Sequence, residues 1–399
     1  MDHLWQKLME TDQASEEFPR LAIEILDAQR SKFHVVHQFA EEDVPQLIDL
    51  IDRKVLQHKI IPTQLKGTAF GFLRRLCGTF QQLPSSCLID GELMIDGGIP
   101  CSNRAYADLR KGSWRGENVA IKLLRTFKDD NKAEITKRFC KEIVLWKQLR
   151  HKNILPFYGA CMGNQLGMVS PWLENGNIIG FTRKNPEANR LNLLIDVSNG
   201  LEYLHHSGVI HGNLRSVNIL IDSDHRPRLA EFGLARIIED SEDSSGDTPW
   251  PGDEEGTLRW SAPECLHPER FGFGDKSRKR LPSKSTDVYA LGMTVLEVVT
   301  RRRPFDHITD YAIHMYILDG KRPERPRGVF SGALWELLHQ SWNREYESTP
   351  SMRPPISLIQ AQLEKEAETW DPSPEAITTD GPCIPSSRRG TGESEIYTL

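Results

Sequence analysis

The sequence predicts an α+β chain in which a helical leading segment precedes a strand-rich stretch and then a long helical remainder. Three observations carry this. Apolar residues recur at helical spacing through roughly the first 83 residues, at Val44, Leu47, Ile48, Ile51 and Val55 and again at Leu65, Ala69, Phe72, Leu76 and Phe80. From about Leu88 the texture changes to short strand-like pieces separated by turn formers. From residue 188 the helical period returns in long runs.

Bulk properties exclude some functions. A chain of 399 residues is long enough for a large core divided between two lobes. A net charge of -6 and a pI of about 6.1 give no basic signal for nucleic acid. The basic runs Arg278–Arg280 and Arg301–Arg303 read as solvated surface. No apolar run reaches the length of a membrane span, and the first residues lack a signal peptide's apolar stretch. The seven cysteines are scattered without a Cys-x-x-Cys pair, which argues against a disulfide scaffold or zinc site and fits a reducing cytosol.

In chain order, Leu21, Ile25 and Ala28 suggest a short helix ahead of the two longer stripes. These helices either pack on the rest of the chain or form a partner-binding module. Amphipathic stripes favour packing. Leu109 to Arg125 reads as two strands with a turn at Trp114–Asn118, the second strand holding Val119-Ala-Ile-Lys122. Residues 132 to 146 form a helix with Ile135, Phe139, Ile143 and Trp146 on one face and Glu142 among its charges. Leu166 to Gly176 gives a further strand and a connector. Residues 188 to 207 read as a buried helix through Leu191, Leu194, Val197, Leu201 and Leu204. There follow His211-Gly-Asn-Leu-Arg-Ser-Val-Asn218, Glu231-Phe-Gly233, Arg259-Trp-Ser-Ala-Pro-Glu264, a helix opening at Ser285-Thr-Asp287, and Ser351-Met-Arg-Pro-Pro355. The tail after about Glu366 is rich in Pro, Ser and Gly and reads as disordered.

In order and spacing these motifs resemble those of protein kinases, and their wording resembles the tyrosine-kinase-like group most closely. The resemblance covers roughly residues 88–366. It implies a bilobal protein-kinase fold, a small β-rich N-lobe and a large helical C-lobe, preceded by the helical segment 1–83 and followed by the tail 367–399. It implies that Lys122 anchors the alpha and beta phosphates of ATP and pairs with Glu142. Ser170 takes the gatekeeper position, and Pro171 and Leu173 take those of the adenine-bonding hinge. Ser102, Arg104, Ala107 and Ala120 complete the nucleotide-facing set. The family's glycine-rich loop falls on residues 102–107, where every glycine is gone and Tyr106 keeps an aromatic tip. Arg104 either adds a positive charge for a nucleotide or fills its place. Asp287 is expected to bond the catalytic loop, and Arg353 to pair with Glu264.

Two residues depart from the chemistry. Asn213 stands where the family has its catalytic aspartate, and Glu231 where it has the magnesium-binding aspartate. Asn218, the second metal ligand, is in place. Gly212 replaces an arginine that receives an activation-loop phosphate. Arg215 takes the place of a lysine typical of serine/threonine kinases and is expected to hold a substrate-side charge. The segment from Gly233 to Ala262 is long and acidic, and its Ser241, Ser244, Ser245 and Thr248 read as a solvated loop rather than phosphosites. Losing a general base lowers a rate by about 10²–10⁴. Displacing a reacting group by about 1 Å lowers it by about 10². The favoured expectation is a cytoplasmic pseudokinase that works through protein partners and retains some ATP binding, with weak magnesium. The alternative is a weak ATP-dependent serine/threonine kinase using Lys122, Glu142, Asn218 and Glu231. A third reading gives the function to the N-terminal helices.

Overall fold

A computed structural model of the chain describes residues 2–12, 15–29, 39–97, 102–104, 107–125, 131–163, 165–232, 236–237, 257–271, 282–343 and 349–370. Tyr106, Gly233, Ser241, Ser244, Ser245, Thr248, Arg278–Arg280 and the tail beyond Trp370 lie outside the described residues. The chain divides into two compact units, Met1–Arg150 with Pro156–Trp172, and His151–Leu155 with Leu173–Leu399.

The first unit begins with helices α1 (Asp2–Glu10), α2 (Glu17–Gln29), α3 (Val44–Leu50) and α4 (Thr63–Phe80). Pro45 sits in the first turn of α3, where its missing N–H is no loss. That helix runs on as a π-turn over Ile51–Val55. Gln81 ends α4 in a left-handed cap with φ 54°. Apolar faces of the four helices close on one another, burying Leu8, Phe18, Ile25, Leu47 and Leu76, with Trp5 stacked on Phe72 at 5.5 Å between ring centroids.

An antiparallel sheet follows, made of β1 (Leu93–Ile95), β2 (Ser102–Arg104), β3 (Ala107–Trp114), β4 (Glu117–Leu124), β5 (Gly159–Met162) and β6 (Leu166–Pro171). Its strand order is β1-β3-β4-β6-β5, with β2 paired to β3. Val119, Ile121 and Leu123 alternate along β4 and bury one face together with Val169. Helix α5 (Lys132–Gln148) starts at Asn131, whose side chain accepts from the Glu134 N–H, and its Phe139–Trp146 stretch is buried. The N-terminal helices and the sheet thus share one unit.

The second unit is mostly helical, with α6 (Ile178–Lys184), α7 (Arg190–His206), α8 (Pro263–Leu266), α9 (Lys284–Thr300), α10 (Asp310–Leu318), α11 (Gly332–Ser341) and α12 (Ile356–Ala367). Two short pairs interrupt the helices: β7 (Val209–Ile210) with β10 (Arg236–Ile237), and β8 (Ile219–Ile221) with β9 (Pro227–Leu229). A capping box between Ser283 and Thr286 starts α9, which is buried from Thr286 to Val299. Packed against α7 and α11, it forms the spine of this unit. Trp370 is the last described residue, and the Arg190 guanidinium lies 5.2 Å from its ring centroid. The architecture is the α+β one expected: helices, then a curled β-rich lobe and a larger helical lobe. Among the described residues no helix is long and apolar enough to cross a membrane.

Candidate functional site

The first unit carries one set of the residues singled out in the sequence. Lys122 sits half-buried in the middle of β4, with Leu109 and Met168 as its neighbours across the ladder. Two residues earlier, Ala120 lies opposite Ser170, which is buried, and Val119 opposite Pro171. Pro171 ends β6, and the next N–H, that of Trp172, donates to the Asn118 carbonyl at 3.1 Å. Ser102 pairs with Leu109 and Arg104 with buried Ala107, so β2 and β3 run antiparallel, with residues 105 and 106 outside the described residues. Glu142 lies on α5 with 7% of its surface exposed.

The second unit carries the rest. Leu173 begins a turn in which its carbonyl accepts from the Gly176 N–H at 3.1 Å. The loop from His211 to Asn218 hangs from Asp287 on α9. One Asp287 oxygen accepts from the His211 N–H at 2.9 Å and lies 2.8 Å from His205 Nε2, while the other accepts from the Gly212 N–H at 2.9 Å. Burial holds the His211 imidazole below its usual pKa against the pull of Asp287. Gly212 has φ +74°, a conformation that an arginine side chain would strain, so the missing arginine and the backbone agree. The Asn213 N–H donates to His211 Nδ1 at 3.2 Å, and its carbonyl accepts from Asn218 Nδ2 at 2.8 Å. Asn218 is buried, and its side-chain oxygen has no hydrogen-bond partner among the described residues. Glu231 holds φ +67°, a left-handed conformation that aspartate and asparagine adopt more readily than glutamate.

Arg215, expected to hold a substrate-side charge, is engaged within its own unit. Its guanidinium carbon stands 4.7 Å from the centroid of Trp260, a buried residue of the 259–264 motif. Trp260 Nε1 in turn donates to Glu297 at 3.0 Å, and the Ser216 N–H donates to the same oxygen at 3.3 Å. Glu297 therefore ties the loop from His211 to Asn218 to the 259–264 segment. Sequence reasoning missed it. Its signal was a lone acid inside the apolar run Val295-Leu-Glu-Val-Val299.

Burial raises the Glu297 carboxyl to about 7, against the opposing effect of its donors and of the Arg215 charge. The raised native pKa means that the folded state binds the proton more tightly than the unfolded chain. The stabilisation is full below about pH 4.5 and is lost as pH rises through about 7. Glu297→Gln is expected to flatten the fall in unfolding free energy between those pH values. The flattened component should be on the order of 3 kcal/mol, measured by urea titrations across the range.

Comparison with known proteins decides what kind of chain this is. The profile of the family described as protein tyrosine and serine/threonine kinase matches residues 102–363. The chain belongs to this family. It is 27% identical over 82% of its length to the serine/threonine-protein kinase STY17 of Arabidopsis thaliana, of which it covers 55%. It is 29% identical over 66% of its length to the serine/threonine/tyrosine-protein kinase HT1 of the same plant, covering 64% of that protein. Against the tyrosine-protein kinase Btk of Drosophila melanogaster it is 26% identical over 66% of its length, covering 31%. The chain thus spans about half the length of curated relatives it matches. The matched span holds both the lysine-bearing strand and the loop from His211 to Asn218.

Proposed function

We propose that this kinase-family chain is a pseudokinase: it holds ATP, transfers phosphate poorly, and acts in the cytoplasm through protein partners. The observation that carries the reading is Asn213. Its own backbone N–H and carbonyl are both bonded, yet an amide stands where the reaction needs a basic oxygen. Glu231 in a left-handed conformation and a segment 102–107 without glycines weigh the same way.

Within this reading residues 1–83 form a helical module, 88–366 the kinase-like domain and 367–399 the tail. Lys122 anchors the phosphates and pairs with Glu142, since a carboxylate buried to that extent calls for a cation. Ser102, Arg104, Ala107, Ala120, Ser170, Pro171 and Leu173 line the nucleotide, while Asn213 and Arg215 occupy the former catalytic positions. The residues present also fit a magnesium ion. Asn218 offers a buried, unpartnered oxygen, and Glu231 supplies a carboxylate, both of the hard-oxygen type that magnesium takes. Among the described residues no cluster of three or more His, Cys, Asp or Glu forms a metal site by itself, so nucleotide phosphates would have to complete the coordination. When bound, the ion supplies charge neutralisation at the phosphates.

A thermal-shift titration with ATP, with and without magnesium, tests this. ATP at 100 times its dissociation constant should stabilise the protein by about 2.7 kcal/mol. The expected result is a clear shift with magnesium and no phosphate transfer to a protein acceptor over the same hours. No shift at millimolar ATP would remove nucleotide binding from the reading. Fast magnesium-dependent phosphorylation would replace it with the active serine/threonine kinase. That second reading is favoured by the serine/threonine kinases among the relatives and by the free oxygen of Asn218.

A further inference from the structure

Helix α5 is buried on more than its sheet-facing side. Phe139 to Trp146 all lie below the surface, and Lys141 is only 5% exposed. What covers it is the N-terminal module. Helix α4 runs so close beside α5 that a Cβ on Gly78 would stand 3.0 Å from the Lys141 side chain and 3.4 Å from that of Lys137. Beside this contact lie the buried thiols of Cys77 on α4, Cys87 in the linker and Cys140 on α5. Burial pushes Cys87 and Cys140 up to about 12 and Cys77 upward as well, as expected for a dry interface.

At the C-terminal end of α5 the contact becomes ionic. The π-turn in α3 places Asp52 inside, 3% exposed. Lys147 of α5 donates to both Asp52 oxygens, at 2.8 and 2.7 Å. Ser86, in the linker after α4, donates to the same carboxylate and also meets the Lys147 ammonium. With its acid buried and its lysine partly so, the pair is specific in register, because breaking it leaves the Asp52 charge uncompensated. An extra residue in the helical turn is the kind of irregularity that re-aims a side chain, here an acid that a regular helix would place elsewhere.

We infer that the N-terminal helices are an intramolecular clamp on α5, with Asp52, Lys147 and Ser86 as its latch. Asp52 is a positioning residue: it fixes the helix that carries Glu142 and so acts on the Lys122 half of the nucleotide site from a distance. The occupant of this face of α5 is the chain's own residues 44–86, and no partner is needed to set the helix.

Hydrogen–deuterium exchange on the full chain tests the clamp. In the parent, α5 amides should exchange as slowly as those of α4. In Asp52→Asn they should exchange at least about tenfold faster, the factor given by about 1.4 kcal/mol, with β4, β6 and α2 unchanged. Asp52→Glu, which keeps the charge, should restore protection. Asp49→Asn is the control, since Asp49 bonds Ser85 of the linker instead, and it should leave α5 as in the parent. Affinity for a fluorescent ATP analogue should fall about tenfold in Asp52→Asn alone, an arm that rests on the nucleotide reading above. Parent α5 exchanging tenfold faster than α4, or Asp52→Asn loosening α2, α4 and α5 alike, overturns the clamp. If Asp52→Asn does not fold, the parent comparison and Asp52→Glu still decide. If the parent binds no nucleotide, the exchange data judge the clamp alone and the proposed function takes the loss.

Discussion

Arg353→Ala is expected to lower the stability of the second unit by about 3–5 kcal/mol. Arg353 and Glu264 bury their side chains almost completely, at 1% and 0% exposure. Two parallel bonds join them, Nη1 to Oε1 at 2.6 Å and Nη2 to Oε2 at 2.8 Å. Nη1 also donates to the Ser285 carbonyl at 3.0 Å, and the guanidinium lies 5.3 Å from the Tyr289 ring centroid. Truncating the arginine leaves the Glu264 carboxylate in a dry site with no cation, and that desolvation dominates the loss. Arg353→Lys should recover part of it, because a lysine keeps the charge but not the two-pronged geometry. Replacing both residues by apolar ones should lower stability by clearly less than the two single changes added together. Urea unfolding of the parent, the two Arg353 variants, a Glu264 single variant and the double variant reads all three expectations. Equal losses for the single alanine and the double apolar change would show that packing, not the stranded charge, is responsible.

Much of this was legible in the sequence, for reasons that differ by residue. The alternation of Val119, Ile121 and Leu123 is a local property of a strand, and the strand forms where that pattern stands. Asp287 and Arg353 could be assigned partners because their motifs carry fixed spacing, and both partners are found. What covers a helix is another matter. The stripe at Leu65, Ala69, Phe72 and Leu76 specifies a buried face, but the neighbour of α4 opposite Gly78 is a helix some sixty residues away in sequence. The inward aim of Asp52 depends on one irregular turn that no periodicity announces. Arg215 was read as a charge for a substrate. Its stacking on Trp260 depends on bringing the 259–264 segment back to the catalytic loop, which is a tertiary fact. Departures at Asn213 and Glu231 were plain in the sequence, whereas the left-handed backbone at Glu231 was not.

Restoring the two aspartates, at positions 213 and 231, is expected to produce the largest functional change. The Asn213 backbone is bonded on both sides, through its N–H to His211 and through its carbonyl to Asn218. Asn213→Asp therefore exchanges an amide for a carboxylate of the same shape on a loop already held in place. Single-turnover transfer from magnesium-ATP to a protein acceptor should rise by about 10²–10⁴ if the base is the missing element. Glu231→Asp shortens the second carboxylate by one methylene and should add up to about 10² by returning it to register. The second change should also leave stability unharmed or raise it, because aspartate accepts φ +67° better than glutamate does. The two gains need not multiply, since residues acting on one transition state are not independent. A large gain from Asn213→Asp with little from Glu231→Asp would make the base the deficient part. The reverse would make the metal-side carboxylate the deficient part and Asn213 a tolerable substitute. No gain from the pair would move the defect to the glycine-free segment 102–107, where substitution of the residues between Arg104 and Ala107 by glycine becomes the next variant to measure.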